Sequence, residues 1–242
     1  MKISVITACY QCVNSIVQTV QSVLTQEKAD FEYIIIDGNS SDGTSKYVRE
    51  IESQYDNVTV VSEPDDGTYD AMNKGVRIAT GDYVFFLNSG DVFYDSKVLS
   101  NVSGRLKTYS DLYYGCVCWG GQEIKTFPRR INLFWLIFRE KMICHQAIIA
   151  KRDMLLMFPF DISLKICADR DWLIKCVLHN CTIESIQPLV ISVYDIHGAS
   201  SHHALFSKDS IIIANKYGGK IATLFIRIKR LCGFFLGRRY TK

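Results

Sequence analysis

The sequence lacks the two glycine motifs that most often mark a nucleotide site in a parallel sheet. No Gly-x-Gly-x-x-Gly follows the first apolar segment, which disfavours a dinucleotide-binding site, and no Gly-x-x-x-x-Gly-Lys-Ser/Thr occurs, which excludes a P-loop. No uninterrupted apolar run reaches about 18 residues, so we expect no helix that spans a membrane. The expected compartment is the cytoplasm.

The chain also has little net charge and no paired cysteine pattern. A formal charge of +3 over 242 residues is too mild to indicate a nucleic-acid partner. The nine cysteines are odd in number and include no two pairs at zinc spacing, which favours free thiols in a reducing compartment. A hydrophobic content of 48% suits one large α/β domain, or one domain with an appendage.

Short apolar segments alternate with amphipathic ones along the first half of the chain. The expected strands cover residues 2–8, 31–36, 58–61 and 83–87, with a helix after each of the first three. This rhythm predicts an α/β fold with a mostly parallel sheet and right-handed crossovers. In the second half we expect a helix near 95–106 and strands near 112–117, 182–186 and 189–194.

Every strand of the first half ends in polar or acidic residues. They are Thr7 and Tyr10, Asp37, Glu63 and Asp65, and Asn88 and Asp91. In a parallel sheet these ends share one edge, where open α/β sheets bind ligands. The alternative is a set of unrelated turns, with Asp91 capping the next helix. Four coincident polar ends favour a ligand site.

The site is acidic, so it binds a phosphate ligand only if a divalent cation lies between them. Asp37 could accept a hydrogen bond from a base N–H or a ribose hydroxyl. Asp91 could hold a hard cation that bridges two phosphates. These properties describe a nucleoside diphosphate bound with Mg²⁺ or Mn²⁺.

Four stretches carry a recognisable family pattern. They are residues 7–10 (Thr-Ala-Cys-Tyr), 36–44 (Ile-Asp-Gly-Asn-Ser-Ser-Asp-Gly-Thr), 63–75 (Glu-Pro-Asp-Asp-Gly-Thr-Tyr-Asp-Ala-Met-Asn-Lys-Gly) and 87–91 (Leu-Asn-Ser-Gly-Asp). Together they resemble the family 2 glycosyltransferases of the GT-A fold, which has helices on both faces of its sheet. The run at 69–75 resembles the bacterial branch that builds O-antigen, capsule and colanic-acid-like polysaccharides.

The resemblance implies roles for individual residues. Asp37 takes the place of the family's base-contacting Asp, and Asp91 takes the place of the last Asp of its Asp-x-Asp metal motif. The implied nucleotide-binding set is Thr7, Ala8, Tyr10, Asp37, Asn39, Asp65, Asn73, Asn88, Ser89 and Gly90. This chain keeps only one carboxylate of the metal motif, so strict metal dependence is in doubt.

In the second half the resemblance is carried by shorter motifs. His145 and Gln146 match a pair beside the acceptor site. Asp169 matches the family's general base, with Ala168 in place of the usual Glu, and Asp171 is an acceptor-side residue and the fallback base. N-terminal acids also suit a helix dipole, which is the structural alternative for both.

The end of the chain is basic and contains a further candidate metal ligand. His197, in a turn rich in histidine, could supply a ligand beside Asp91. Residues 221–236 place an apolar stripe on one helix face, with Arg227 and Arg230 on the other, and no acidic residue follows Asp209. A basic amphipathic helix is typical of a membrane-surface anchor; the alternative is a helix packed on the sheet.

These observations predict a GT-A domain over residues 1–215 and a basic amphipathic tail over 216–242. Within the domain, residues 1–92 form the nucleotide-binding half and 93–215 the acceptor-binding half. The expected activity is inverting transfer of a sugar from a nucleotide sugar, with UDP favoured, to a saccharide acceptor linked to a polyprenyl diphosphate. We place it at the inner face of the cell membrane. The alternatives are a non-catalytic nucleotide-sugar-binding scaffold protein and a nucleotidyltransferase on a similar sheet.

Overall fold

A computed structural model describes residues 1–138, 143–196 and 203–235. Its first half alternates strands and helices as the sequence predicts. The elements are β1 (Ile3–Cys9), α1 (Val13–Leu24), β2 (Phe31–Asp37), α2 (Thr44–Glu52), β3 (Val58–Ser62), α3 (Thr68–Ile78) and β4 (Tyr83–Phe86). All seven residues of β1 are buried, as expected for a short apolar strand covered on both faces.

Parallel pairing brings the carboxyl ends of these strands together. β1 lies between β2 and β4, and β2 also pairs with β3, all in parallel. In this register Cys9 lies opposite Asp37, and Asp37 lies opposite Ser62. The polar residues that follow each strand therefore share one edge of the sheet.

The second half extends the same sheet with mixed pairing. Its elements are β5 (Val92–Phe93), α4 (Val98–Ser103), β6 (Leu112–Trp119), β7 (Glu123–Lys125), α5 (Leu133–Phe138), a 3₁₀ turn (His145–Ala147), β8 (Ile148–Lys151), α6 (Arg152–Met157), α7 (Ala168–Leu178), β9 (Ile183–Tyr194) and α8 (His203–Phe235). The strand order is β3-β2-β1-β4-β8-β6-β9-β5, with β7 beside β6. β8 runs antiparallel to both β4 and β6, whereas β6 and β9 are parallel.

Apolar side chains cover both faces of the sheet. On one face Val5 and Ile35 pack with Val20 of α1, and on the other face Ile6 packs with Met72 of α3 and Trp172 of α7. This two-sided burial confirms the expected α/β class with helices on both faces. No helix among the described residues is both long enough and apolar enough to cross a bilayer.

Helix α8 is held against the first turn of α7 by buried carboxylates. Asp209 accepts hydrogen bonds from the backbone N–H groups of Ile166 (2.7 Å) and Cys167 (3.1 Å), the two residues that precede α7. Asp171 of α7 accepts from Lys216 at 2.8 Å. The axis of α8 breaks at Gly219, where φ is 62° and ψ is −159°. The sequence-based boundary between residues 215 and 216 lies inside α8, so that division stays a prediction.

Candidate active site at the carboxyl edge of the sheet

Residues from three strand ends converge on one point of the sheet edge. A side chain at Gly38 would come within 2.7 Å of Asp65 Oδ2 and within 3.1 Å of the Tyr10 ring. The Tyr10 ring is 62% exposed, and Asn39 is exposed beside it with φ of 63°. An exposed ring next to polar groups is suited to stacking on a nucleobase. The structure thus brings together three predicted nucleotide-binding residues: Tyr10, Asn39 and Asp65.

Asp37 lies just beneath this point, and its carboxylate already accepts several hydrogen bonds from the protein. Its carboxylate accepts hydrogen bonds from Ser62 Oγ (2.6 Å), Ser40 N–H (3.2 Å) and Ser45 Oγ. Burial alone would raise the pKa of Asp37, but these donors outweigh burial and lower the pKa below its ordinary value. The side chain is therefore a fixed, fully buried anion, and its contact with a base stays a prediction.

Two residues that we expected at the nucleotide have inward-facing partners instead. Thr7 Oγ1 donates to Leu87 O at 2.6 Å inside the sheet. Asn73 donates to Phe160 O at 2.9 Å and accepts from Phe160 N–H at 3.0 Å. Both side chains are buried. Their contacts join elements of the fold and are not those of a ligand-facing group.

The turn after β4 is held by short polar contacts. Ala8 N–H donates to Asn88 Oδ1 at 3.2 Å, and Ser89 N–H donates to Ala8 O at 3.2 Å. Gly90 has φ of 99°, which favours glycine, and a side chain there would come within 2.8 Å of Asp195 Oδ2. The sequence of this turn therefore places Asp91 and Asp195 side by side.

Asp91 is buried at the centre of the edge. Its Oδ1 accepts from Asp195 N–H and its Oδ2 from Gln146 Nε2, both at 2.8 Å. Burial raises the pKa of Asp91 to about 6, although these two hydrogen bonds oppose the shift. Gln146 Oε1 is also buried and has no hydrogen-bond partner among the described residues. This oxygen is a polar group that an added ligand could satisfy.

These side chains fit a divalent cation. Asp91, Asp195 and Gln146 Oε1 supply oxygen atoms, which are the ligands that Mg²⁺ and Mn²⁺ prefer, and a diphosphate would supply more. No group of three or more His, Cys, Asp or Glu side chains within the described ranges is arranged to hold a metal alone. His197, the other predicted ligand, lies outside the described residues.

A second chain of contacts leads from the same turn to Asp169. Asn88 Nδ2 lies 3.0 Å from His145 Nε2, and because Asn88 Oδ1 is occupied by Ala8, this contact is a donation from the amide. The other ring nitrogen, Nδ1, lies 3.5 Å from Asp169 Oδ2 and makes no hydrogen bond with the described residues. Contacts between catalytic groups often shorten to hydrogen bonds only when substrate binds. His145 therefore stands beside the predicted base.

Asp169 itself is enclosed in the first turn of α7. It is 2% exposed, and apolar side chains of Phe86, Phe160 and Trp172 line the same small cavity. Its Oδ1 accepts from Arg170 N–H at 2.8 Å, so Oδ2 remains the oxygen directed at His145. A carboxylate with one oxygen held by the backbone is well oriented for proton transfer.

Asp171 does not lie in this group. Its carboxylate is fully buried and contacts Lys216 Nζ (2.8 Å), Tyr217 OH (2.8 Å) and Lys175 Nζ (3.0 Å). Asp169 and Asp171 are two positions apart on α7, so their side chains leave the helix on nearly opposite faces and contact different neighbours. Asp171 therefore holds α8 against α7 through Lys216 and Tyr217. We had expected it to contact the acceptor.

Sequence reasoning missed Asp195. This residue follows β9 as Asp91 follows β4, and that position after an apolar strand was the available signal. What could not be read was the pairing of β5 with β9, which joins segments about a hundred residues apart. Of the three serines around Asp37, Ser62 lies on the neighbouring strand β3, 25 residues along the chain, whereas Ser40 and Ser45 are within eight residues of Asp37.

Comparison with known proteins identifies the family. Residues 4–161 match the model of glycosyl transferase family 2. A PGL/p-HBAD biosynthesis glycosyltransferase of Mycobacterium tuberculosis is 30% identical over 192 residues, which is 75% of this chain and 72% of that protein. A second M. tuberculosis protein, described as an uncharacterized glycosyltransferase, is 29% identical over 83% of this chain and 77% of its own.

Solved structures share the fold. S. aureus TarS 1-349 in complex with UDP-GlcNAc superposes with a TM-score of 0.72 at 18% identity, over 99% of this chain and 77% of that one. The mannosyltransferase PcManGT from Pyrobaculum calidifontis, in complex with GDP-Man and Mn²⁺, gives 0.64 at 16% identity, over 96% and 74%. These likenesses confirm the expected GT-A-type fold. The O-antigen branch that the sequence resembles is not confirmed by the relatives above.

The raised pKa of Asp91 predicts a pH-dependent stability. The folded pKa of about 6 exceeds the ordinary value of 3.8, so the folded state holds the proton more tightly. The contribution of Asp91 to stability is therefore fully present below pH 4 and is lost as pH rises through 6. Without added metal, Asp91→Asn should gain about 1–3 kcal/mol relative to wild type between pH 4 and pH 7. Urea unfolding at both pH values measures this.

The matched control is Asp153→Asn, which changes an exposed carboxylate on α6. Its free energy of unfolding should follow wild type at both pH values. An equal pH dependence in wild type and Asp91→Asn would contradict the assignment.

Proposed function

The chain belongs to glycosyl transferase family 2 and is a glycosyltransferase, and on this premise we propose that it transfers a sugar from a UDP-sugar to a saccharide acceptor with inversion at the anomeric carbon. One observation carries the proposal. The adjacent residues His145 and Gln146 contact two different buried carboxylates, Asp169 and Asp91 respectively. A base and a cation site are thereby held side by side on a single turn.

In the proposed reaction Asp169 Oδ2 takes the proton of an acceptor hydroxyl while that oxygen attacks the anomeric carbon. The sugar passes through an oxocarbenium-like state, and the nucleoside diphosphate leaves from the opposite face. Of the two buried carboxylates at this turn, Asp91 has its oxygens held by Gln146 and by Asp195 N–H, and Asp169 acts on the acceptor. A single displacement follows, which gives a β-linkage from an α-linked donor.

The leaving diphosphate gains negative charge, which the edge around Asp91 is suited to receive. A divalent cation bound there would supply the charge that stabilises the leaving group. Asp91 and Asp195 hold that position from the protein side, and Gln146 fixes the orientation of Asp91. Tyr10 and Asp65 stand where the nucleoside would lie. The choice of UDP is supported by TarS, which was solved with UDP-GlcNAc.

Family membership favours the enzyme over the non-catalytic scaffold and the nucleotidyltransferase considered above. The proposed acceptor is a saccharide linked to a polyprenyl diphosphate, in surface-polysaccharide synthesis. The M. tuberculosis relative is described by its part in PGL/p-HBAD biosynthesis, so the sugar and the acceptor require direct measurement.

A lipid-linked acceptor is consistent with the outer face of α8. Beyond the break at Gly219, four large apolar side chains at helical spacing are 48–80% exposed: Ile221, Leu224, Phe225 and Ile228. The opposite stripe, Ala222 and Ile226, is fully buried. We propose that this end of α8, within the predicted tail 216–242, packs on the fold with one face and lies on an anionic membrane surface with the other.

Replacing the proposed base tests the chemistry. Asp169→Asn keeps the size of the side chain but cannot accept the proton. We expect turnover to fall by about 10²–10⁴-fold while donor affinity is retained. Release of UDP from a panel of UDP-sugars, with membrane-extracted lipid acceptors, measures turnover, and calorimetry measures donor binding. Asp153→Asn is the control, and turnover near the wild-type level in Asp169→Asn would remove the mechanism.

Vesicle binding tests the role of α8. Wild-type protein should co-sediment with vesicles that contain anionic phospholipid, and less with zwitterionic ones. The triple variant Ile221→Ser, Leu224→Ser and Ile228→Ser should lose at least about tenfold in affinity, because each buried apolar side chain contributes about 1.5–3 kcal/mol. The control replaces Met157 and Ile162, exposed apolar residues outside α8, by Ser. Equal binding by the triple variant would refute the membrane contact.

A further inference from the structure

Arg170 carries a buried charge whose donors make no hydrogen bond with the described residues. The residue is fully buried, and its Nε, Nη1 and Nη2 atoms have no hydrogen-bond partner among the described residues. A guanidinium stays protonated at any pH a protein tolerates, so loss of the proton cannot lower the free-energy cost of burying this charge. Burying an unpaired charge is strongly unfavourable. Such an arginine is expected where an anionic ligand completes the pair.

The nearby carboxylates are engaged by other donors. Asp209 accepts from the backbone N–H groups of Ile166 and Cys167, and Asp171 contacts Lys216 and Lys175. Asp169 Oδ1 accepts from the backbone N–H of Arg170 and not from its side chain. None of these three carboxylates makes a hydrogen bond with the guanidinium of Arg170 among the described residues.

Within the described ranges, the guanidinium of Arg170 lies near an aromatic ring. Its central carbon lies 5.6 Å from the centroid of the Phe206 ring on α8. A contact with an aromatic ring gives the guanidinium N–H groups no oxygen acceptor, and those groups match phosphate oxygens in a bidentate manner. Phe206 therefore supports the side chain without satisfying its donors.

The position of Arg170 agrees with a phosphate ligand. It follows the proposed base directly and lies in the first turn of α7, an 11-residue helix whose dipole favours an anion at this end. We propose that Arg170 is a phosphate-binding residue that pairs with a diphosphate group of a bound substrate. The identity of that substrate rests on the proposed function: the diphosphate belongs either to the nucleotide donor or to the lipid-linked acceptor.

Binding measurements with three probes distinguish the two sources. The probes are UDP, inorganic pyrophosphate and farnesyl diphosphate, each titrated calorimetrically in the presence of Mg²⁺ into wild type, Arg170→Met and Arg170→Lys. We expect Arg170→Met to lose about 10- to 100-fold in affinity for pyrophosphate, and Arg170→Lys to lose less because it keeps the charge without the fork. If affinity for UDP also falls and affinity for farnesyl diphosphate does not, Arg170 binds the diphosphate of the nucleotide donor. If affinity for farnesyl diphosphate falls and affinity for UDP does not, Arg170 binds the diphosphate of the acceptor. Arg105→Met, at an exposed arginine of the α4 end, should behave as wild type.

Stability without ligand gives an independent test. If the partner of Arg170 is a substrate, Arg170→Met should unfold at the same or a higher urea concentration than wild type when no phosphate is present. A clear destabilisation or failure to fold would mean that the guanidinium has a structural partner, and would overturn the proposal. Unchanged affinities in both variants, or no binding of any probe by wild type, would overturn it as well. UDP binding that is equal in wild type and Arg170→Met, with no loss for the other probes, would reject the role of Arg170 but leave the proposed function standing.

Discussion

The candidate site depends on one short 3₁₀ turn that holds two buried carboxylates in fixed positions. Gln146 donates to Asp91, and His145 lies against Asp169. The turn is itself fixed from both sides, since Asn88 donates to His145 and Ser192 donates to Gln146 O at 2.8 Å. These contacts connect the sheet, the turn and α7 in one buried polar network, whose members constrain one another's positions.

Two carboxylates at the same sheet edge have pKa values shifted in opposite directions. Asp37 is surrounded by serine donors that lower its pKa, whereas burial raises the pKa of Asp91 to about 6. The first carboxylate is stabilised as an anion by the fold alone. The second gains most from an external positive charge, which is the property expected of a cation ligand. The surroundings therefore make Asp37 a fixed structural anion and make Asp91 the better candidate for a cation ligand.

Much of the fold was predictable because the responsible signals are local. Runs of buried, β-favouring residues marked β1, β2 and β4, and the polar residue after each strand marked the site edge. The orientation of single side chains was less predictable. Thr7 lies on a strand covered on both faces, so periodicity does not say which face its hydroxyl meets. Asp195 and the Asp171–Lys216 pair depend on contacts between segments far apart in sequence, which one sequence does not reveal.

The most direct test of the account is UDP binding with and without Mn²⁺ in wild type and Asp91→Ala, measured by titration calorimetry with Asp153→Ala as the control. If Asp91 holds the cation that carries the diphosphate, Mn²⁺ should strengthen UDP binding to wild type and to the control. Asp91→Ala should lose at least about tenfold of that affinity, as expected when a charged ligand contact is removed. UDP binding that is indifferent to Mn²⁺ and equal in all three proteins would contradict the assignment of this edge as the donor site.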